Sequence, residues 1–278
     1  MSIAYYNGDF CDLSDIKIPL TDRSIFFGDG IYDAAIGKNG GVYLEKEHLD
    51  RFFCNAEKLN IPINQTRAEL SNLIRKLIQK NLFEEYFIYI QLSRFSDERT
   101  HAYPDTKSSN LLITLREHSL PCPDKKLKLI TLPDIRYSMC DVKTLNLLPA
   151  VLASRKASDA ECDEAVFIRD GFVTECAHSN IHVIKDGVLY THPNGKYILP
   201  GITRKRLLHF CNELGVPVRE SRFTLSELKS ADEVLVTSTT KLGLKATEID
   251  GENVGKCTSW VGKKLISALF QDFEKKVC

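Results

Sequence analysis

Arg136-Tyr137-Ser138-Met139-Cys140-Asp141-Val142-Lys143-Thr144-Leu145-Asn146-Leu147-Leu148 sets one lysine among mostly uncharged side chains. An amine sheltered from water loses part of its preference for the charged form, and the neutral amine attacks carbonyl groups. Lys143 is therefore a candidate Schiff-base nucleophile. A lone lysine is more commonly a solvated surface charge, so the rest of the chain has to supply the remainder of a site.

Just before this stretch Lys128–Leu132 reads as a strand, and toward the C-terminus Leu147 to about Ala160 reads as an apolar helix. Arg169-Asp170-Gly171 and Lys185-Asp186-Gly187 separate β-rich runs, the signature of two hairpins, and place Glu175 and Ser179-Asn180 on the segment between them. Leu199-Pro200-Gly201-Ile202-Thr203-Arg204 then opens a helix that stops at Gly215. The amides of Ile202 and Thr203 would stand unpaired at its positive end, where a phosphate binds well. The run Glu233–Val236 reads as a buried strand, and Thr237-Ser238-Thr239-Thr240 at its end offers hydroxyl donors to an anion. An amphipathic helix is expected over Trp260–Phe273.

Toward the N-terminus, Ile3–Phe10 is expected to turn at Asn7-Gly8, and Lys17–Leu20 to form a second short strand. Gly28-Asp29-Gly30 marks a sharp turn before a strand from Ile31, and the absence of G-x-G-x-x-G spacing excludes a dinucleotide loop. Leu49, Phe52, Phe53, Ala56 and Leu59 share one helical face with Arg51 beside it, and Thr66 with Glu69 forms a capping box for a second helix. Tyr86–Ser93 and Asn110–Arg116 read as strands joined by a long polar loop, Arg94–Pro104, that carries Arg99-Thr100-His101. The two prolines of His118–Asp124 mark a linker, dividing the chain into domains at 1–118 and 126–278 with residues 119–125 between.

At 278 residues two α/β lobes are expected. Lysine plus arginine equals aspartate plus glutamate at 37 each, so no basic excess points to nucleic acid or an anionic membrane surface, and a small molecule is the expected partner. Nine scattered cysteines without a C-x-x-C pair argue against a zinc knuckle and read as reduced thiols of a cytoplasmic protein, and no metal is expected. Neither a signal peptide in Met1–Phe10 nor a membrane span is expected.

A lysine, two phosphate-capable segments and an acid suit pyridoxal 5'-phosphate, and they would equally suit other phosphorylated ligands. The runs Asp22-Arg23-x4-Gly28-Asp29-Gly30-Ile31-Tyr32, His48-Leu49-Asp50-Arg51, Lys143-Thr144-Leu145-Asn146, Thr174-Glu175, Ser179-Asn180, Leu199 to Arg204 and Thr237 to Thr240 go further. In this order along the chain they resemble the fold type IV aminotransferases, and Arg99-x-His101 resembles the D-amino-acid branch of that family. The resemblance implies a two-domain α/β (α+β) fold, with a smaller N-terminal α/β domain and a larger C-terminal domain built on a barrel-like β core.

It also implies roles for individual residues. Lys143 would hold the cofactor as a Schiff base and then move the substrate proton, and Glu175 would keep the pyridine nitrogen protonated. Arg51, Ile202, Thr203, Ser238 and Thr239 would bind the phosphate, Arg136 would stand by the phenolic oxygen, and Leu199 would back the ring. Tyr32 would trap the substrate α-carboxylate with Arg99 and His101, donated across a homodimer interface. The reaction implied is a ping-pong transfer from D-alanine or a similar D-amino acid to 2-oxoglutarate, giving pyruvate and D-glutamate. Branched-chain L-amino-acid aminotransferase and aminodeoxychorismate lyase are the alternatives within the family, and a non-catalytic cofactor-binding scaffold is the alternative outside enzymes. Two positions depart from the family pattern, His178 after Glu175 and Lys241 after Thr240, and both bear on which side chains are accepted.

Overall fold

In a computed structural model describing residues 2–103, 105, 107–255 and 260–277, Asn7 and Gly8 both take positive φ (49° and 117°). They join β1 (Ile3–Tyr6) to β2 (Asp9–Asp12) as an antiparallel hairpin. The segment Lys17–Leu20 is exposed and irregular rather than a strand; Pro19 within it has no N–H to give a ladder. A short helix α1 (Arg23–Phe27) follows, capped by the Asp22 side chain and ended by Gly28 in the left-handed region (φ 62°). Then come β3 (Gly30–Lys38), β4 (Gly41–Val42), the helices α2 (Glu45–Lys58) and α3 (Arg67–Asn81), and the strands β5 (Glu85–Ser93) and β6 (Asn110–Glu117). Thr66 and Glu69 form the expected capping box at the start of α3.

These strands form one sheet in the order β2-β1-β6-β5-β3-β4. Alternation decides what each face does. In β5, Tyr86, Ile88, Ile90 and Leu92 are buried, and they join Leu49, Phe52 and Ala56 of α2 and Leu70, Ile74 and Leu77 of α3 in one apolar core. In β3 the same period puts Ile31, Asp33 and Ala35 on one side and Tyr32 and Ala34 on the other.

The chain divides into two units: Met1–Ser119 with Val142–Asn146 and Lys275–Cys278, and Leu120–Asp141 with Leu147–Glu274. The Lys143 segment thus belongs with the N-terminal sheet, although it lies inside residues 126–278. The reason is a free strand edge. β3 pairs with β5 along its whole length, but on its other side β4 covers only Gly37 and Lys38. The start of β3 takes the Lys143 segment instead, through Tyr32 N–H to Lys143 O (2.9 Å), Leu145 N–H to Gly30 O (3.1 Å) and a bridge between Ile31 and Thr144.

The second unit runs β7 (Lys126–Pro133), α4 (Leu148–Asp159), β8 (Glu164–Arg169), β9 (Phe172–Cys176), β10 (Asn180–Lys185), β11 (Val188–Thr191) and α5 (Ile202–Glu213). It continues with β12 (Val218–Glu220), α6 (Leu225–Lys229), β13 (Glu233–Ser238), β14 (Leu242–Ile249), β15 (Glu252–Asn253) and α7 (Trp260–Val277), whose last residues count with the first unit. The sheet order is β12-β11-β10-β13-β14-β7-β8-β9, with β15 on β14. Asp170-Gly171 and Asp186-Gly187 have positive φ at both residues, as a tight hairpin requires, and so does Asp250-Gly251 between β14 and β15. The sheet curls into a half-barrel: its end strand β9 turns back to β10, where Cys176 N–H donates to Ser179 O at 2.8 Å. Leu127, Leu129, Val166, Val173, Ile181, Val183, Val234 and Val236 fill its core.

The seven described cysteines are all unpaired, and Cys257 and Cys278 lie outside the described residues. Among the described residues no group of His, Cys, Asp and Glu could hold a metal ion, and no helix is long and apolar enough to cross a membrane.

Candidate active site

In the first unit, the Lys143 side chain is half-buried and its Nζ stands 4.2 Å from the centre of the Tyr32 ring, which packs in turn on Tyr89 with centroids 5.5 Å apart. Those rings lie on the sheet face away from α2 and α3. Arg51, reaching in from α2, meets Asp33: Nε donates to Oδ2 at 2.8 Å and Nη2 to Oδ1 at 2.9 Å. His48, one helical turn earlier, donates from Nδ1 to Asp33 Oδ1 at 2.7 Å. Burial by itself would raise the Asp33 carboxyl, but the Arg51 charge and the His48 hydrogen bond outweigh it and hold the group well below the usual range. Burial pushes His48 down, so it is the neutral imidazole that gives its N–H to the ionised acid. Sequence reasoning missed Asp33; the signal was an acid at the one buried polar position of an alternating strand.

Arg99 and His101 gather around another ring of the same chain. The Arg99 guanidinium lies 5.3 Å from the centre of Phe27, and the His101 ring 5.4 Å from it. Pro104, the end of the loop read from sequence, lies outside the described residues.

In the second unit, Glu175 sits within β9 itself, not on the connection between hairpins as expected, because β9 runs on to pair Cys176 with Val166 of β8. Its Oε1 accepts from Arg136 Nη1, and its Oε2 accepts from Asn180 Nδ2 and the Leu199 amide, both at 3.0 Å. Asn180 Nδ2 also donates to Leu199 O at 3.0 Å, so one amide ties the acid to the segment that leads into α5. Gly201 is required here by space: a Cβ on it would come within 2.0 Å of Asn180 Oδ1.

Behind Glu175 is a second acid that sequence reasoning did not find. Asp134 accepts from Arg136 Nε and Nη2, each at 2.9 Å, and forms an ion pair with Arg169. Burial would raise the Asp134 carboxyl, yet hydrogen bonds and charge from Arg136 and then Arg169 bring it down to about 2. Burial would lower Arg136, but Asp134 and Glu175 drive it above its ordinary range, so it is a permanent cation between two carboxylates. The sequence signal was local, an acid two residues before the arginine.

The departures His178 and Lys241 meet at one buried carboxylate. Glu164 accepts from Lys241 Nζ at 2.5 Å, from Ser179 Oγ at 2.9 Å and from the His178 amide at 2.9 Å, while His178 Nδ1 stands 3.2 Å away with its ring half-exposed.

The residues fit pyridoxal phosphate on two observations within this unit. The Oγ of Ser238, at the end of β13, is buried without a hydrogen-bond partner among the described residues, which is costly unless an acceptor or donor fills the place. The N-cap of α5 is Gly201, so no cap side chain takes the first amides, including those of Ile202 and Thr203. Thr239 follows in the turn to β14, half-exposed.

The family described as Amino-transferase class IV matches residues 30–249. D-alanine aminotransferase of Staphylococcus epidermidis is 39% identical over 258 residues, covering 91% of each chain. D-alanine aminotransferase of Staphylococcus haemolyticus is 37% identical, covering 92% of each. The fold matches the crystal structure of a branched-chain aminotransferase from Thermoproteus uzoniensis with a TM-score of 0.90 over 99% of this chain and 97% of that one, at 21% identity.

Proposed function

The chain belongs to the amino-transferase class IV family and is a pyridoxal-phosphate-dependent transaminase, and we propose that it acts on D-amino acids. D-alanine or a similar donor gives up its amino group and leaves as the 2-oxo acid. 2-Oxoglutarate then receives the group and leaves as D-glutamate. The observation that carries this reading is the Arg99-Thr100-His101 loop, its two cationic-capable side chains exposed together on Phe27, in a chain whose relatives are D-alanine aminotransferases.

The site residues take these roles. Arg51, the Ile202 and Thr203 amides, Ser238 and Thr239 hold the phosphate, and Leu199 backs the ring. Glu175, itself held by Arg136, Asn180 and the Leu199 amide, keeps a proton on the pyridine nitrogen. Bound in this way, the cofactor supplies a sink for the electron pair left at the substrate Cα. Lys143 is the amine that carries the cofactor at rest, and its Nζ takes the Cα proton and returns it on the other side of the exchange. Tyr32, Arg99 and His101 fix the substrate α-carboxylate, Arg99 through its planar fork. The two loop residues serve the site of a partner subunit, which makes the working unit a homodimer. The unpaired thiols suit a cytoplasmic setting.

Adding D-alanine, and separately L-leucine, to the cofactor-loaded protein tests the reading by absorbance. D-alanine alone should shift the cofactor spectrum and release pyruvate. A response to L-leucine alone would move the chain to the branched-chain aminotransferases, and indifference to both would favour the lyase or the scaffold. Mixing Lys143→Ala with Arg99→Ala subunits should restore activity if the loop serves a partner; no recovery would remove the shared-site proposal.

A further inference from the structure

We propose that Arg23 is the positioning residue of the Arg99-Thr100-His101 loop, and that Phe27 is the post on which the loop's side chains rest. The inference rests on the reading of Arg99 and His101 as carboxylate binders. It also gives a task to the Asp22-Arg23-x4-Gly28-Asp29-Gly30 stretch, which no step of the transfer uses.

Arg23 is 3% exposed, and a buried guanidinium is costly unless each donor is used. Its Nε donates to Asp29 Oδ2 at 2.8 Å. The other two nitrogens go to consecutive main-chain carbonyls of the loop, Nη1 to Thr100 O at 2.8 Å and Nη2 to His101 O at 3.3 Å. Residues 99, 100 and 101 are themselves exposed, so water could have satisfied those carbonyls. A rigid fork on two successive peptide groups fixes the direction in which the flanking side chains leave the backbone.

The ring of Phe27, at the end of the same short helix, completes the arrangement. Arg23 lies over it at 4.7 Å, Arg99 at 5.3 Å and His101 at 5.4 Å. The base of the loop is fastened separately. Arg94 donates from Nε to both oxygens of Asp29 (3.1 and 2.9 Å), from Nη1 and Nη2 to Asn60 O and Leu59 O, and covers the Tyr103 ring at 3.6 Å. Asp29 thus serves the crown of the loop through Arg23 and its base through Arg94. A carboxylate trap pre-set in this way loses less freedom when substrate binds.

The holoenzymes of Arg23→Lys, Phe27→Leu, Phe27→Tyr and Arg99→Ala test this with D-alanine and 2-oxoglutarate. Arg23→Lys keeps the charge beside Asp29 but loses the fork. It and Phe27→Leu should each raise KM for both substrates about tenfold, the scale of one charge-assisted hydrogen bond. The kcat should change less than about threefold and the cofactor spectrum should be unchanged, while Phe27→Tyr, which keeps the ring face, should retain the parent KM. Unchanged KM in Arg23→Lys and Phe27→Leu, with KM raised in Arg99→Ala, would overturn the inference and leave the carboxylate reading standing. Unchanged KM in Arg99→Ala would overturn that reading and the inference with it. If Arg23→Lys does not fold, the Phe27 pair decides alone.

Discussion

The buried carboxylate of Asp33 takes both Nε and Nη2 of Arg51, at 2.8 and 2.9 Å, and so fixes the plane of that guanidinium. One edge of Arg51 is committed to the fold, and its orientation toward any phosphate is inherited from Asp33. Asp33→Asn should lower stability by about 3–5 kcal/mol, the cost of breaking a buried ion pair, and should also weaken cofactor retention. Urea unfolding of the cofactor-free protein and cofactor absorbance after dialysis measure the two effects. If Arg51→Ala leaves cofactor affinity unchanged, the phosphate role of Arg51 is wrong.

Ser238 separates binding from folding. Its buried Oγ has no partner among the described residues, so Ser238→Ala should leave the stability of the cofactor-free protein within about 1 kcal/mol of the parent or raise it. Affinity for the cofactor should fall roughly 10- to 100-fold, the worth of a hydrogen bond to a charged group. Titration of the cofactor-free variant checks this, and an unchanged dissociation constant would take Ser238 out of the phosphate set.

Gly201→Ala should act at a distance through Asn180. The new methyl cannot share space with Asn180 Oδ1, so Asn180 must turn and release Glu175 Oε2 and Leu199 O. The expected cost is about 1–3 kcal/mol from overpacking, with a drop in kcat as Glu175 loses a fixed partner. A variant with parent stability and parent kcat would show that Asn180 does not set the position of Glu175.

A pH dependence of stability follows from His182. Its ring lies between Thr191 Oγ1 and Thr237 Oγ1, each at 2.9 Å, and burial followed by the Arg204 charge pushes its pKa to about 3 from 6.5. Between those values the unfolded chain binds a proton that the folded chain refuses. The contribution is therefore complete above about pH 6.5 and is lost as pH falls toward 3. At pH 5 the loss is on the order of 2 kcal/mol. Urea unfolding at pH 7 and pH 5 should show a shallower decline in His182→Gln than in the parent; equal declines would mean His182 is protonated in the fold.

Local features were readable from residue order. Asn7-Gly8, Asp170-Gly171 and Asp186-Gly187 demanded positive φ, Thr66 with Glu69 announced a helix start, and the spacing of Leu49, Phe52 and Ala56 announced a buried face. Each depends on neighbours within a turn or two of chain, where φ/ψ preference and periodicity act directly. Lys17–Leu20 misled because its alternation ignores Pro19, which has no N–H to give a ladder, and the segment stays exposed. The candidate site residues were likewise singled out by type and order.

Tertiary structure decided the partners. The Lys143 segment joins the N-terminal sheet because the start of β3 has an unpaired edge, a fact about strand order that no local pattern carries. Asp33 with Arg51, Asp134 and Glu175 on either side of Arg136, and Arg23 under the Thr100 and His101 carbonyls are pairings across 2 to 78 residues of sequence. Composition determined that such charges exist; only folding buried them, and burial is what obliges each one to find its counter-charge.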